Sequence, residues 1–292
     1  MRLATIREID RTTLVVSDGD KVWLPNASQT WPESLESFIA AGPDQWKKFA
    51  DVASAPKREF RSMSADEAAW LAPIPRPAKN IMCLGWNYAE HVSESAQASG
   101  RKAEPPKDPV VFTKNVTSVT GPFADISSHA DVTQQLDWEV ELAVIIGIGG
   151  RAIPRSRARQ HVFGYTVIND LSARDLQFRH KQFFLGKGLD GACPMGPVIV
   201  TADEIVDPQN LRLRSWVNGV LKQDDSTRNM IFDVDTIIEV LSRGMTLEPG
   251  DIIATGTPSG VGFARTPPEF LKAGDVVQCE VEGIGRLVNR IV

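Results

Sequence analysis

Short apolar runs separated by turn-forming residues dominate the chain after residue 79 and predict a β-rich fold. The candidate strands are rich in β-branched and aromatic residues, and they read NIMCLG, PVVFTK, EVELAVIIG, FGYTVIND, GPVIV, LRLRSWVNG, DIIATG and VVQCEVEG. These strands do not alternate regularly with helical segments, which disfavours a doubly wound parallel sheet. We therefore predict an α+β, β-rich fold with a mixed, mostly antiparallel sheet and peripheral helices.

The first 72 residues show a different pattern and predict a small α/β leading module. TTLVV and KVWLP flank the turn at residues 17–20, and its Asp-Gly pair between two β-rich runs indicates a hairpin. The segments SLESFIAAG and DQWKKFADVA follow with helical patterns. Because three prolines stiffen LAPIPRPAK, the sequence predicts a module at 1–72, a connector at 73–78 and a main domain at 79–292.

Composition and charge narrow the class of protein. With 292 residues, of which 42% are hydrophobic, the chain can bury a sizeable core. The net charge of -5 and the pI of about 5.5 argue against a nucleic-acid or anionic-membrane partner. The first residues lack the apolar core of a signal peptide, and no apolar run reaches the length of a membrane span. Three cysteines without CxxC spacing fit reduced thiols, so we expect a cytoplasmic protein.

The stretch DWEVEL places Glu139 and Glu141 two residues apart in front of an apolar run. On a strand the two carboxylates share one face, where they repel each other and resist burial. The same spacing recurs at Glu280 and Glu282, where only the opposite face is apolar, so that an ordinary half-exposed strand is expected. Beyond Glu141 both faces become apolar, which indicates that this strand runs inward and that its acids stand at the entrance to a buried space.

Three arrangements make such a pair tolerable: a shared proton, an acid/base pair acting on a glycosidic bond, or a bound cation. A cation needs a third ligand, and Asp170 at the end of FGYTVIND is the best candidate. Ser172 and Asp175 form a capping-box pattern for the following helix, which leaves Asp170 free, although Asp170 is itself an alternative cap. Three carboxylates without a histidine nearby in sequence favour Mg²⁺ or Mn²⁺, and less so Ca²⁺.

A second group of candidates begins where NIMCLG turns into a helix. Asn87 and Glu90 predict the helix cap, and His91 and Glu94 then share one helix face. A histidine oriented by a carboxylate can act as a general base, but a plain surface pair has the same spacing. The polar segment at about residues 95–108 is either a mobile lid or an ordinary loop.

Three glycine-rich stretches are candidates for ligand contacts. Lys187 lies between two glycines, where it either approaches a ligand closely or stays at the surface. TGTPSG at residues 255–260 offers hydroxyl and backbone N–H groups to an anion but lacks the ending of a P-loop. GIGGRA at residues 147–152 has the spacing of a dinucleotide-binding loop, yet Pro154 delays the helix that such a loop must open.

Six motifs, in this order, resemble the fumarylacetoacetate hydrolase family: NYAEHVSE, FTKNVTSVTGP, QLDWEVELAVIIG, GYTVINDLSARDLQ, FLGKGLDGACPMGP and DIIATGTPSGVG. The resemblance covers residues 79–292 and is to bacterial members of the acylpyruvase and 2-hydroxyhepta-2,4-diene-1,7-dioate isomerase types. Residues 1–72 resemble the variable leading modules of such members. The resemblance implies a mixed β-sandwich/β-roll catalytic domain, usually in a homodimer, that binds Mg²⁺ or Mn²⁺.

The resemblance also implies roles for individual residues. Glu139, Glu141 and Asp170 match the metal ligands. His91 and Glu94 match a dyad that activates water, and Lys187 matches the lysine beside the oxo group of the substrate. The expected contacts to the carboxylate and oxygens of the substrate are Arg174, Gln177 and Thr257, with Gly256 beside them.

These parts predict hydrolysis of a C–C bond in an acylpyruvate or related diketo acid, through a pyruvate enolate held by the metal and Lys187. In that reaction His91 activates the attacking water. The same enolate serves oxaloacetate decarboxylation or tautomerisation and 2-oxo-dienoate isomerisation, which are alternatives. The expected partner is a small 2-oxo or diketo acid from the catabolism of aromatic compounds. A metal-independent glycosidase and a non-catalytic metal-binding protein are the other open classes.

Overall fold

The computed structural model of the protein describes residues 1–9, 11–26, 31–54, 59–100 and 102–292. The strands defined within these residues are β1 (Arg2–Glu8), β2 (Arg11–Ser17), β3 (Lys21–Pro25), β4 (Phe60–Ser64), β5 (Trp70–Leu71), β6 (Ile81–Gly85), β7 (Val110–Lys114), β8 (Val119–Thr120), β9 (Leu136–Asp137), β10 (Val140–Ile146), β11 (Val162–Asn169), β12 (Ser172–Ala173), β13 (Cys193–Thr201), β14 (Arg212–Val217), β15 (Val220–Ser226), β16 (Ile252–Ala254), β17 (Val276–Val281) and β18 (Gly285–Arg290). The α-helices are α1 (Leu35–Ala40), α2 (Pro43–Ala53), α3 (Ala89–Ala98), α4 (Arg174–Arg179), α5 (Phe184–Lys187) and α6 (Val234–Ser242).

Twelve strands form one large sheet, whose main path runs β4-β3-β2-β1-β13-β11-β10-β16-β6-β7. Strand β5 pairs with β1, and β8 pairs with β13. A second sheet has the order β15-β14-β17-β18, and β9 pairs with β12. Among the strand pairings of the described residues, only β8 with β13 and β6 with β16 are parallel. The predicted α+β fold with a mixed, mostly antiparallel architecture is therefore confirmed.

The strands of the leading region continue the large sheet. The hairpin predicted at residues 17–20 is confirmed, because Val16 of β2 pairs with Trp23 of β3 and Gly19 has a φ of 102° in the connecting turn. Strand β1 then pairs with β13, with Leu3 opposite Ile199. The two predicted helices of this region are confirmed as α1 and α2. Residues 1–72 thus supply one end of the sheet, and their status as a separate domain stays a prediction.

Strand β10 is buried on both faces and separates two hydrophobic cores. The even-numbered residues of Val140–Ile146 belong to a core that includes side chains of the four-stranded sheet and of α6. Ala143 and Ile145 belong to the other core, together with side chains of α1 and α2. A slip of one residue would exchange the two faces, so the two cores fix the register of β10. The same register fixes the positions of Glu139 and Glu141 at its beginning.

Strand β17 provides the comparison with an ordinary acidic strand. Val277, Cys279 and Val281 are buried, whereas Glu280 is only half-buried. The carboxylate of Glu280 accepts a hydrogen bond at 2.7 Å from Nε of Arg286 on β18. The half-exposed strand predicted here is confirmed, so the glutamate spacing alone does not create a site.

Cys83, Cys193 and Cys279 are unpaired and buried, as expected for reduced thiols. None of the helices in the described ranges has the length and apolarity that crossing a membrane requires. The cytoplasmic location stays a prediction.

Candidate metal and substrate site

Antiparallel pairing of β10 with β11 brings the three predicted metal ligands together. Glu141 lies opposite Ile168, and the N–H of Asp170 donates to the carbonyl oxygen of Glu139 at 2.9 Å. The N–H of Glu139 in turn donates to Oδ1 of Asn169 at 3.0 Å. One carboxylate oxygen from each of Glu139, Glu141 and Asp170 lies within 4.8 Å of the other two, and all three residues are buried. We refer to these three residues as the acidic triad.

The donor atoms of the acidic triad fit a hard divalent cation. All three donors are carboxylate oxygens, which Mg²⁺ and Mn²⁺ prefer. Oε2 of Glu141 accepts a hydrogen bond from the N–H of Gly256 at 2.8 Å, but its Oε1 is buried without a hydrogen-bond partner. Leaving a buried carboxylate oxygen without a partner is costly, and a cation would supply one. Glu139, Glu141 and Asp170 are therefore the residues that would hold the ion.

Three buried cations surround the acidic triad. Nζ of Lys187 lies 2.7 Å from Oε2 of Glu139 and 2.8 Å from Oδ2 of Asp170. Nζ of Lys114 lies 2.8 Å from Oδ1 of Asp170, and Nη2 of Arg174 lies 2.7 Å from Oε1 of Glu139. The surface alternative for Lys187 is wrong, because the residue is only 2% exposed.

The formal charges in this group nearly balance. Asp137 is also fully buried and adds a fourth carboxylate, which accepts a hydrogen bond from Nε of Arg174 at 2.8 Å. Four carboxylates with the three cations carry a formal charge of -1, and a divalent ion would bring the group to +1. In a buried site, where charges are weakly screened, such a group favours an anionic ligand.

The pKa values of Glu139 and Glu141 are shifted in opposite directions. Burial disfavours ionisation of Glu139, but the cations of Lys187 and Arg174 outweigh it and lower the pKa to about 2. Burial, together with the charges of Asp170 and Glu139, raises the pKa of Glu141 well above its ordinary value. Burial also opposes the charge of Lys187, but Asp170 and Glu139 outweigh it and raise the pKa of this lysine. Lys187 therefore stays protonated, and Glu141 is the carboxyl group that gains most from a cation.

Helix α3 presents the His91–Glu94 dyad to the same space. Nδ1 of His91 donates to Oε1 of Glu94 at 2.8 Å, and Oε2 of Glu94 accepts from the N–H of Gly260 at 2.8 Å. A carboxylate only accepts, so Nε2 of a neutral His91 is the nitrogen that can take up a proton. The surface alternative is wrong for His91, which is 5% exposed and lines one cavity with Glu139.

The predicted cap of α3 is wrong. The residue that precedes the helix is Tyr88, and no side chain caps this end. Asn87 instead donates to the carbonyl oxygens of Thr255 at 2.8 Å and Phe232 at 3.0 Å, and it accepts from the N–H of Phe232 at 2.8 Å. These bonds tie the beginning of α3 to the segment before α6, through Phe232, and to the segment after β16, through Thr255. The side chain thus orients the helix that carries the dyad rather than capping it.

The predicted cap of α4 is also wrong. The residue that precedes α4 is Ala173, without a side-chain cap, and Oγ of Ser172 donates to the carbonyl oxygen of Asp170 at 2.9 Å. The carboxylate of Asp175 accepts instead from Oγ1 of Thr133 at 2.6 Å. Asp170 joins the acidic triad because β11 ends there beside β10, and not because another residue caps the helix.

The predicted substrate contacts meet at one cavity of about 620 Å³, which Arg174, Gln177 and Thr257 line. Nη1 of Arg174 donates to Oε1 of Gln177 at 2.9 Å. Oγ1 of Thr257 donates to the carbonyl oxygen of Val140 at 2.9 Å, which fixes it over β10. The N–H of Gly256 donates to the carboxylate of Glu141 and so holds this member of the acidic triad in place. A contact of Gly256 with a substrate stays a prediction.

Aromatic rings form two walls of the cavity. Nζ of Lys187 lies 5.0 Å from the ring centroid of Phe112, and the ring of Phe183 packs edge-on against Phe112 at 5.7 Å. On the other side, the guanidinium carbon of Arg174 lies 4.5 Å from the ring centroid of Phe263. These rings keep water away from both cations, which strengthens electrostatic interactions in the cavity.

The segment at residues 95–108 borders the cavity. Its first residues complete α3, and the ones that line the cavity are Ser95, Ala96, Ala98, Ser99, Lys102 and Glu104. These residues therefore lie beside the cavity, in the position that a lid would need. Closure of the segment over a ligand stays a prediction.

Sequence reasoning missed two buried residues of the site. Lys114 ends the apolar strand PVVFTK, and Asp137 opens the stretch DWEVEL. The carboxylate of Asp137 accepts from the N–H groups of Gly262 at 2.7 Å and Phe263 at 3.0 Å, as well as from Arg174. The sequence signal is a charged residue at the end of an apolar strand for Lys114 and one just before an apolar strand for Asp137.

Comparison with known proteins gives one matching family and several close relatives. The model of the fumarylacetoacetate (FAA) hydrolase C-terminal family matches residues 80–292. The oxaloacetate tautomerase YisK of Bacillus subtilis is 49% identical over 269 residues, covering 90% of this chain and 88% of that protein. The mitochondrial oxaloacetate tautomerase FAHD2A of Homo sapiens is 40% identical over 265 residues, covering 90% of this chain and 81% of that protein.

Solved structures match over the whole length of the chain. The fumarylacetoacetate hydrolase EaFAH from the psychrophilic Exiguobacterium antarcticum has a TM-score of 0.85 and 43% identity, covering 100% of this chain and 99% of that one. The maleylpyruvate hydrolase of Sphingobium sp. SYK-6, in complex with manganese(II) and pyruvate, has a TM-score of 0.78 and 29% identity, with coverage of 100% and 99%.

Proposed function

The chain belongs to the fumarylacetoacetate hydrolase family, and from this premise we propose that it is a divalent-metal-dependent enzyme that interconverts the enol and keto forms of oxaloacetate. The observation that carries the proposal is the buried acidic triad with Lys187 against it. The relatives named as oxaloacetate tautomerases support this reaction ahead of the C–C hydrolysis that the sequence placed first. Mg²⁺ and Mn²⁺ both suit the ligands.

The substrate-binding part of the site follows from the donors that the protein leaves available. A bound divalent ion would act as a Lewis acid toward the 2-oxo oxygen. Arg174 has five N–H donors, of which two make hydrogen bonds to Asp137 and Gln177. Its Nη2 forms an ion pair with Glu139 but has no hydrogen-bond partner. The remaining donors would bind the carboxylate of the substrate, and the ammonium of Lys187 would stabilise negative charge on the enolate oxygen.

The tautomerisation needs a group that moves a proton at carbon 3 of the substrate. Nε2 of His91 suits this step, because Glu94 holds the ring through Nδ1 and Gly260 holds Glu94. From the keto form, His91 would take the proton of carbon 3, and the enolate oxygen would then take up a proton from solvent. In the reverse direction the enol oxygen would lose its proton to solvent, and His91 would give a proton to carbon 3. The aromatic walls around Lys187 and Arg174 would limit exchange of that proton with water.

Hydrolysis of an acylpyruvate is a second candidate, and the His91–Glu94 dyad is the observation that favours it. The same nitrogen of His91 would deprotonate a water molecule for attack on the distal carbonyl. The maleylpyruvate hydrolase among the structural relatives supports this candidate. The two reactions differ in whether a water molecule or carbon 3 of the substrate delivers the proton to His91.

The experiment compares the metal-loaded and EDTA-stripped protein on enol-oxaloacetate, oxaloacetate and an acylpyruvate. We expect Mn²⁺ or Mg²⁺ to restore rapid ketonisation of enol-oxaloacetate to the stripped protein. Glu141→Gln should abolish that rate, whereas Glu280→Gln, with the same local spacing on a half-exposed strand, should keep it. Equal rates with and without EDTA would contradict the proposal, and a faster turnover of the acylpyruvate would favour the second candidate.

A further inference from the structure

A fully buried lysine lies behind the acidic triad. Lys114 ends β7 and is 0% exposed. Its Nζ lies 2.8 Å from Oδ1 of Asp170, donates to the carbonyl oxygen of Leu171 at 3.0 Å, and donates to the carbonyl oxygen of Lys187. The two contacts with carbonyl oxygens are hydrogen bonds, whereas the contact with Asp170 is an ion pair, because Oδ1 of Asp170 has no hydrogen-bond partner.

The three oxygens belong to the two segments that build the centre of the site. Asp170 and Leu171 follow β11, and Lys187 ends α5. The side chain of Lys187 returns to Asp170, because its Nζ lies 2.8 Å from Oδ2. A lysine therefore lies against each carboxylate oxygen of Asp170: Lys187 donates a hydrogen bond to Oδ2, and Lys114 forms an ion pair with Oδ1. Lys114 also donates to the backbone carbonyl oxygen of Lys187.

Stability alone is a weak explanation for this buried charge. Removing an ammonium group from water is expensive, and a buried ion pair often contributes little more than apolar residues of the same volume. As far as stability is concerned, apolar residues in place of the whole Lys114–Asp170 pair would therefore serve equally well. What an apolar side chain would not supply is a direction for the carboxylate of Asp170 and for the carbonyl group of Lys187.

We infer that Lys114 is a positioning residue, which orients Asp170 toward the divalent ion and holds Lys187 against the substrate cavity. Lys187 lines that cavity, whereas Lys114 is not among the described residues that do so. Lys114 thus acts through its neighbours rather than on the substrate. The inference rests on the proposed function for the metal, but it concerns a residue that the proposed reaction does not itself use.

The test measures Mn²⁺ affinity and turnover in Lys114→Met and Lys114→Gln. Lys114→Met removes all three donors, whereas the amide of Lys114→Gln retains two. Isothermal titration of EDTA-stripped protein should show Mn²⁺ binding weakened about 10- to 100-fold in Lys114→Met, with a smaller loss in Lys114→Gln. The kcat of the Mn²⁺-saturated Lys114→Met protein should fall as well, with a smaller change in KM. The reason is that the carbonyl oxygen of Lys187 loses its hydrogen bond from Lys114.

The matched control is Lys79→Met. Nζ of Lys79 lies 3.0 Å from Oδ2 of the buried Asp251, so this change also removes a lysine from a buried carboxylate. It should leave Mn²⁺ affinity and kcat within about twofold of the parent protein. Thermal unfolding in EDTA would show the cost in stability of each variant separately from its effect on the metal.

Three results would overturn the inference. The first is a folded Lys114→Met protein with Mn²⁺ affinity and kcat within twofold of the parent. The second is failure of both Lys114 variants to fold, which would make the role of this lysine structural. The third is absence of Mn²⁺ binding by the parent protein, which would also overturn the proposed function, whereas the first two leave that function intact.

Discussion

The ammonium nitrogen of Lys187 lies 2.7 Å from Oε2 of Glu139, and both residues are buried at the wall of the cavity. The two residues are 48 positions apart in sequence, and α5 and the start of β10 bring them together. The contact places a permanent positive charge beside the acidic triad. This arrangement suits a reaction in which negative charge develops on an oxygen next to a metal ion.

Lys187→Met should lower the kcat for enol-oxaloacetate by about 100-fold or more, because it removes a fixed donor from the developing enolate oxygen. The KM should change much less, since Arg174 is the residue proposed to bind the carboxylate of the substrate. Initial rates with saturating Mn²⁺ check this, and Lys181→Met, at an exposed lysine of the cavity mouth, is the control. A kcat within threefold of the parent protein would show that Lys187 has no such role.

His91→Ala should separate the reactions that need a base from the one that does not. Ketonisation of enol-oxaloacetate and any acylpyruvate hydrolysis should each fall about 100-fold or more, because both need a proton moved at His91. Decarboxylation of oxaloacetate, which forms the enolate by loss of CO₂, should be largely retained. Parallel assays of the three reactions with one protein sample provide the measurement, and an equal loss in all three would instead indicate damage to the metal site.

Gly256→Ala should destabilise the protein more than Gly274→Ala, although the two glycines have nearly equal φ values of 97° and 98°. Each change should cost about 1–2 kcal/mol of unfolding free energy for the left-handed backbone. A Cβ at position 256 would also lie 2.8 Å from Cβ of Asn87, which should add about 1–3 kcal/mol, whereas nothing lies within 4 Å at position 274.

Urea unfolding of the two alanine variants measures this difference. Because the N–H of Gly256 holds Glu141, the first variant should also bind Mn²⁺ more weakly, and the second should bind it normally. Equal destabilisation of the two variants would mean that the loop after β16 tolerates movement away from Asn87.

The three cysteines should be unreactive in the native protein. Burial raises the pKa of Cys193 to about 12, and it also raises the pKa values of Cys83 and Cys279. The thiolate is the reactive form, so at pH 8 a thiol reagent such as dithionitrobenzoate should show no fast reaction. After denaturation in guanidinium chloride, three thiols per chain should react. Fast reaction of even one thiol in the native state would indicate that part of the core opens readily.

Much of the site was predictable from sequence because its main signals are local. The alternation of β10 placed Glu139 and Glu141 on one face, and apolar residues on both faces beyond them indicated burial. Glu280 has the same spacing on a half-exposed strand, so the spacing alone carries little information. Asp170 was predicted as the third member of the triad from its position at the end of an apolar strand.

The remaining features depended on contacts that sequence patterns do not encode. Asn87 had the spacing of a helix cap, but its amide is engaged by Phe232, 145 positions away. Ser172 also had the spacing of a cap, yet it bonds back to the carbonyl oxygen of Asp170. Lys114 has no local partner, because its contacts with Asp170 and Lys187 are between residues far apart in sequence. Local patterns therefore found the carboxylates and missed the groups that orient them.

The central claim is that Glu139, Glu141 and Asp170 share one divalent ion, and an anomalous difference map from crystals grown with Mn²⁺ and oxalate tests it most directly. The account predicts one Mn²⁺ peak per chain, about 2.0–2.6 Å from a carboxylate oxygen of each of the three residues, with oxalate on its open side. Absence of a peak among these carboxylates, or a peak that only one of them contacts, would contradict the account.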